Sequence, residues 1–247
     1  MKIISYIFIL FWRIWYYLWV ILLTALLFPA LLIVTSREEN YASFYKVARF
    51  WGKAILFVMG FSIELKAEKE FRKGDSYVLC PNHTSMIDIM VLLSVSKYPF
   101  VFVGKKELAK IPLLGFFYKR TCILVDRSDV QSRNAVFEEA RRRLQKGLSV
   151  CIFPEGLVPD DESIVLNDFM NGAFRLAIEH QIPIVPMTFY DCKKRFSYTF
   201  FSGSPGTLRV KIHDFIESKG LTIQDKGRLK KQTFDLIHKE LLEDTEK

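Results

Sequence analysis

Three patterns of apolar and polar positions follow one another along the chain. Residues 14–34, IWYYLWVILLTALLFPALLIV, carry no charge, and as a helix this run reaches about 31 Å, enough to cross a hydrocarbon core. In residues 41–61, Lys46, Arg49 and Lys53 recur at spacings of three and four on one helical face, with Phe44, Phe50, Trp51 and Phe57 on the others. Beyond Phe61 short apolar runs alternate with helical stretches. Strands are expected at 63–66, 77–80, 100–104, 122–125, 149–153, 184–188 and 207–212. Helices are expected at 86–96, 130–146 and 169–179, with a closing helix over 226–242. Alternation of strand and helix predicts an α/β domain with a mixed, largely parallel sheet flanked by helices. The expected division is an N-terminal apolar helix pair at 1–60 and an α/β catalytic domain at 61–247.

The first two segments predict a membrane anchor. A signal peptide has a shorter apolar region and a small-residue cleavage site, whereas this run contains Pro29 and meets Arg37, Glu38 and Glu39. Trp12, Trp15, Tyr16, Tyr17 and Trp19 form an aromatic belt, and residues 41–61 have the make-up of a helix lying at the interface. The alternative is that both segments pack as ordinary core helices. Arg37, Lys46, Arg49 and Lys53 follow the apolar run, so the positive-inside bias turns the catalytic domain to the cytoplasm. A spanning helix and a hairpin dipping into one leaflet both lead to that side.

Charge and cysteine content narrow the function classes. The net charge of +8 is spread along 247 residues without a long cationic run, which argues against a nucleic-acid partner and suits a membrane surface or phosphate groups. Cys80, Cys122, Cys151 and Cys192 lie far apart with no C-x-x-C pair, so they are read as reduced thiols. No P-loop, dinucleotide glycine fingerprint or G-x-S-x-G elbow is present.

In such sheets chemistry gathers beyond the carboxyl ends of the strands, here the loops after Cys80, Gly104, Val125 and Phe153. The first reads Cys80-Pro-Asn-His-Thr-Ser-Met-Ile-Asp88. Pro81 ends the strand, His83 lies in the loop, and Ser85 as N-cap would put Asp88 at the third helical position, pointing back toward the histidine. A histidine oriented by a carboxylate is a general-base pair. The alternative is a plain capping box of Ser85 and Asp88 with His83 a polar loop residue. Lys105 and Arg127 each follow a strand and would converge near His83 as a cation cluster for phosphate, unless each is merely solvated or Asp126 pairs with a neighbouring base. Phe153-Pro-Glu155-Gly156 puts a carboxylate at the same edge, or is only a turn. Two candidate ligands, His83 and Asp88, are too few for zinc, and no metal is expected.

Taken together, Asn82-His83-x4-Asp88, the strand ending in Arg127, Phe153-Pro154-Glu155-Gly156 and Ile182-Pro183-Ile184-Val185-Pro186 resemble the four motifs of the glycerolipid acyltransferase family, in order and spacing, over residues 77–186. With its apolar N-terminus the chain looks like the bacterial lysophosphatidate acyltransferases within it. The resemblance implies a membrane-bound acyltransferase, with His83 as base and Asp88 orienting it. It also implies that Arg127, Glu155 and Gly156 lie at the acceptor site, to which strand order adds Lys105. The acceptor would be a lysophospholipid, lysophosphatidate giving phosphatidate, and the donor a thioester, acyl-CoA or acyl carrier protein, with no further cofactor. Two positions depart from the pattern: Leu157, Val158 and Pro159 stand where the family has Thr-Arg-Ser, and Thr121 where it has glycine. Both departures touch the acceptor's identity. An acceptor such as an amino-acid-linked lysolipid is the alternative substrate, and a non-catalytic lipid-binding protein the alternative class.

Overall fold

The computed structural model describes residues 2–126, 129–158, 161 and 163–245. In chain order the elements are α1 (Lys2–Val34), α2 (Tyr41–Val58), β1 (Phe61–Ala67), β2 (Val78–Pro81), α3 (Asp88–Val95), β3 (Phe100–Lys105), α4 (Leu114–Thr121) and β4 (Ile123–Val125). There follow α5 (Val130–Gln145), β5 (Ser149–Cys151), α6 (Gly172–His180), β6 (Ile184–Phe189), α7 (Cys192–Phe196), β7 (Gly206–Ile212) and α8 (Lys226–Thr245).

The seven strands form one sheet in the order β1-β7-β6-β2-β5-β3-β4. From β6 to β4 the strands are parallel, with Val78 level with both Ile184 and Val150, and Gly104 level with Leu124. β7 runs against β6, since His213 N–H bonds Pro186 and Ile216 pairs with Ile184. Every residue of β2 and β6 is buried, as a central parallel strand covered on both faces requires. The mixed, largely parallel sheet flanked by helices is the fold class the sequence predicts, and all seven strands lie where expected within a few residues.

By their contacts the residues group into two units. The first comprises Met1–Leu65, Thr84–Lys97 and Phe189–Val210. Here α1 starts at Lys2, well before the expected residue 14, because Arg13 does not interrupt it: the guanidinium is 1% exposed and donates to the carbonyls of Thr199 and Ser202, both at 2.9 Å. α1 and α2 lie antiparallel, with Trp12 Nε1 donating to the Met59 carbonyl (3.2 Å) and Trp51 Nε1 to Thr24 Oγ1 (3.2 Å). Arg49 departs from the expected interfacial role. Its Nε and Nη2 cap the carbonyls of Leu93 and Ser94 at 3.1 and 3.2 Å, neutralising the C-terminal end of α3, while Lys46 and Lys53 stay exposed. α2 stops at Val58, short of the expected residue 61, because Gly60 takes φ +76° and β1 begins. Among the described residues one helix, Ile4–Val34 of α1, is long and apolar enough to cross a membrane.

The second unit comprises Lys66–His83, Tyr98–Thr188 and Lys211–Lys247. In it α5 packs on β4 and β5, and α6 packs on β2 and against α8. Asp129 caps α5, accepting the amides of Gln131 (2.9 Å) and Ser132 (3.3 Å).

Candidate active site

Pro81 is the last residue of β2, and the chain leaves the sheet carrying Asn82 and His83. The His83 ring stacks on Phe153, with centroids 4.1 Å apart and planes 25° from parallel. One face of the imidazole is thereby covered. The main-chain N–H of His83 donates to Glu155 Oε1 at 2.7 Å, and Glu155 Oε2 accepts the N–H of Asn167 at 2.9 Å. Glu155 is 2% exposed, and a carboxylate so deeply placed must be compensated by charge-assisted donors. It fastens the loops after β2 and β5 to the segment before α6.

The Phe153-Pro-Glu-Gly sequence builds that position as a turn. The Gly156 N–H donates to the Phe153 carbonyl at 3.1 Å, Pro154 fixes φ at the second residue, and Gly156 adopts φ +78°, where a side chain would be strained. The turn reading and the carboxylate-at-the-edge reading of this motif are therefore compatible: the turn is what aims the carboxylate.

Asp88, in the first unit, is fully buried at the start of α3. Its Oδ2 accepts the N–H groups of Thr84 (2.7 Å) and Ser85 (2.8 Å). Thr84 follows His83 in the chain, so this carboxylate fixes the peptide that leaves the histidine. Ser85 was expected to cap a helix with Asp88 at its third position; instead Met86 and Ile87 form a turn and the helix proper starts at Asp88. The Ser85 hydroxyl accepts from Ile87 N–H at 3.2 Å and donates to the Phe196 carbonyl, which draws it away from a regular cap. One half of a capping box is present, since Asp88 Oδ2 accepts the Ser85 amide, but the Asp88 amide donates to the Ser85 carbonyl (3.3 Å) and not to its hydroxyl. Cys192 adds a third donor that the sequence did not signal. Burial first, and the Asp88 charge beside it next, push this thiol well above the ordinary cysteine range, so it stays protonated while bonded to the carboxylate.

Lys105 is the last residue of β3, exposed, and level with Val125 at the end of β4. The strand leading to Arg127 thus ends at the same edge as Lys105, while Arg127 itself lies outside the described residues. Gly104 lies against the hydroxyl of Tyr118 on α4, a place a Cβ would overlap. Leu157 is exposed, and Pro159 is outside the described residues. All four cysteines are free; burial raises the thiol of Cys80, and that of Cys122 up to about 12, which suits packing and not nucleophilic chemistry.

Of the residues the motifs single out, the His83 amide is bonded to Glu155, Gly156 ends the turn that carries Glu155, and Asp88 holds the amides of Thr84 and Ser85; Phe153 as a stacking surface, Asn167 and Cys192 carry no such signal in the sequence. Asn167 contributes a backbone N–H, which no side-chain pattern announces.

Comparison with known proteins matches residues 62–190 to the acyltransferase family. The chain is 28% identical over 215 residues to the human 1-acyl-sn-glycerol-3-phosphate acyltransferase alpha, covering 84% of this chain and 72% of that protein. It is 26% identical over 209 residues to the 1-acyl-sn-glycerol-3-phosphate acyltransferase of Haemophilus influenzae, covering 84% and 85%. Among solved structures, the 1-acyl-sn-glycerophosphate (LPA) acyltransferase PlsC of Thermotoga maritima has the same fold, with TM-score 0.80, 18% identity, and coverage of 100% of this chain and 99% of that one.

Proposed function

This chain belongs to the acyltransferase family, and on that premise we propose that it moves a fatty acyl group from a thioester, acyl-CoA or acyl carrier protein, to the free hydroxyl of lysophosphatidate, giving phosphatidate. The observation that carries the reading is the setting of His83. It stands at the carboxyl end of a central strand, its ring backed by Phe153 and its amide held by the buried Glu155. A base fixed at its main chain and on one ring face meets substrate with its ring edge.

In the proposed reaction an imidazole nitrogen of His83 takes the proton of the acceptor hydroxyl, and the oxygen forms a bond to the thioester carbonyl carbon. The tetrahedral intermediate collapses with cleavage of the C–S bond, and the departing thiolate recovers the proton from the imidazolium. Asp88, held by the amides of Thr84 and Ser85, stabilises that imidazolium. Base catalysis of this kind is worth about 10²–10⁴ in rate. A thioester is already activated, so the reaction needs no nucleotide. Lys105 and Arg127 are assigned to the acceptor phosphate. Because its described bonds reach backbone amides, Glu155 is assigned to positioning of the His83 loop.

The proposed place of work is the membrane, with α1 as anchor and the catalytic residues on the cytoplasmic side. Exposed Leu26 and Ile33, at 70% and 69%, favour a lipid surrounding for α1 over a dry core.

A second reading, transfer to an acceptor without phosphate such as an amino-acid-linked lysolipid, is favoured by Leu157-Val158-Pro159 where the resembled motif carries an arginine. Thiol release by the detergent-purified chain, with lysophosphatidate and with neutral and amino-acid-linked lysolipids, each against both donors, separates the two. Fastest turnover on lysophosphatidate supports the first reading and fastest turnover on a phosphate-free acceptor the second. No turnover on any acceptor would leave a lipid-binding protein.

A further inference from the structure

In the connection between α7 and β7, residues 197–205, most polar groups bond within the loop or to its flanks, and the aromatic rings are exposed. Ser197 and Ser202 join hydroxyls at 2.7 Å, Thr199 N–H donates to Ser197 Oγ at 3.0 Å, and the Ser202 hydroxyl donates to the Thr199 carbonyl at 2.8 Å. Arg195 closes the loop, its Nη1 donating to Ser204 Oγ (3.0 Å) and the Pro205 carbonyl (3.1 Å) while its carbonyl accepts from Ser204 N–H (3.1 Å). Gly203, at φ +102°, lies so close to that carbonyl that no side chain would fit. Outward the loop shows Tyr198, Phe200 and Phe201, at 52, 40 and 50% exposure.

The loop is tied to α1. Arg13 is the one charged residue of the sequence between Lys2 and Arg37, and an arginine in so apolar a helix is costly unless its donors are engaged. Its Nη2 bonds the Thr199 and Ser202 carbonyls, and its guanidinium lies 4.1 Å over the Phe196 ring. Phe201 meets Tyr6 of α1 edge-on, with centroids 5.4 Å apart, beside the exposed Ile7 and Phe8. Through Phe201 and Tyr6 the exposed rings join the apolar surface of α1, and α7 carries the exposed Lys194. A loop bathed in water presents polar groups, whereas backbone bonded internally beneath outward aromatic rings is what the hydrocarbon boundary demands.

We propose that residues 197–205 form a second membrane contact, in which Tyr198, Phe200 and Phe201 enter the headgroup boundary of an anionic phospholipid bilayer and Arg13 fastens the loop to the anchor helix. The loop then fixes how deep the first unit sits. This rests on α1 being the membrane anchor, so the test reads the two separately.

The experiment attaches a nitroxide to the full chain carrying Phe201→Cys, reconstituted in vesicles of phosphatidylcholine and phosphatidylglycerol. The label's collision rates with oxygen, which partitions into lipid, and with a water-soluble nickel chelate are compared. Leu26→Cys on α1 and Lys231→Cys on α8 give the lipid and water references, and labelled unsubstituted chain corrects for the native thiols. The expected result is oxygen-dominated collision at Phe201→Cys and Leu26→Cys, with nickel-dominated collision at Lys231→Cys. Nickel-dominated collision at Phe201→Cys with Leu26→Cys still in lipid would overturn the loop contact and leave the anchor standing. Both positions in water would overturn the two together. Spin–spin broadening between Phe201→Cys labels in dilute micelles would assign the rings to a second copy of the chain, which also contradicts the proposal.

Discussion

The amide of His83 and the carboxylate of Glu155 are joined at 2.7 Å, and the second carboxylate oxygen holds the amide of Asn167 at 2.9 Å. A residue that the motif alone would place against the acceptor thus makes bonds that shape the catalytic loop. Glu155→Gln keeps one accepting oxygen but turns an NH2 toward the second amide, leaving a buried donor unpaired at about 1–3 kcal/mol. The expected result is lowered thermal stability and a kcat reduced about ten- to a hundredfold, with the acceptor KM nearly unchanged. Steady-state kinetics decide it: a raised KM at constant kcat would make Glu155 an acceptor contact.

Gly156 holds φ +78° in the turn that aims Glu155. Gly156→Ala places a Cβ where the left-handed region costs roughly 1–2 kcal/mol. Thermal unfolding should show a loss of that size, with activity falling in step as the turn relaxes.

Much of the fold was legible because its signals are local. The five strands β2 to β6 are short apolar runs, as buried parallel strands are, whereas β1 and β7 alternate apolar with polar residues; both signals are read within the strand itself. α4 went unseen because Pro112 and Gly115 flank its start, breaker residues that tertiary packing overrode over only eight residues. The N-terminal end of α1 was misjudged for a different reason: Arg13 reads as the end of an apolar run, and only its distant partners at Thr199 and Ser202 explain why the helix runs through it. At the candidate site the side chains were legible through the motifs. The backbone donors on Asp88 and Glu155 were not, since an amide N–H belongs to every residue but proline.

Burial, and then the charge of Lys211, hold the His213 imidazole below its ordinary range, with Nε2 and Thr188 Oγ1 2.7 Å apart. The unfolded chain binds a proton near pH 6.5 that the folded chain refuses, so this contribution is complete above that pH and is lost as pH falls toward the lowered value. Stability should decline from about pH 7 to pH 5 with a slope of up to about 1.4 kcal/mol per unit from His213. His213→Asn should flatten most of it in a series of melting curves, with His180, also lowered by burial, supplying the remainder.

Lys105 and the end of β4 share one edge of the sheet. If Lys105 and Arg127 hold the acceptor phosphate, Lys105→Ala or Arg127→Ala should raise the KM for lysophosphatidate about ten- to a hundredfold, equivalent to about 1.4–2.8 kcal/mol, and spare phosphate-free acceptors. Equal losses on paired acceptors would make these cations structural.

The central claim is that His83, set on Phe153 and partnered in the reaction by Asp88, removes the acceptor's proton. The direct measurement is acyl transfer from a thioester to lysophosphatidate by His83→Ala and Asp88→Asn, each checked for unchanged thermal stability. Asparagine retains an oxygen for the amides of Thr84 and Ser85 but cannot stabilise an imidazolium. The account predicts near-complete loss for His83→Ala and a loss of about 10²–10⁴ for Asp88→Asn; a folded His83→Ala protein that keeps most of its transfer rate would contradict it.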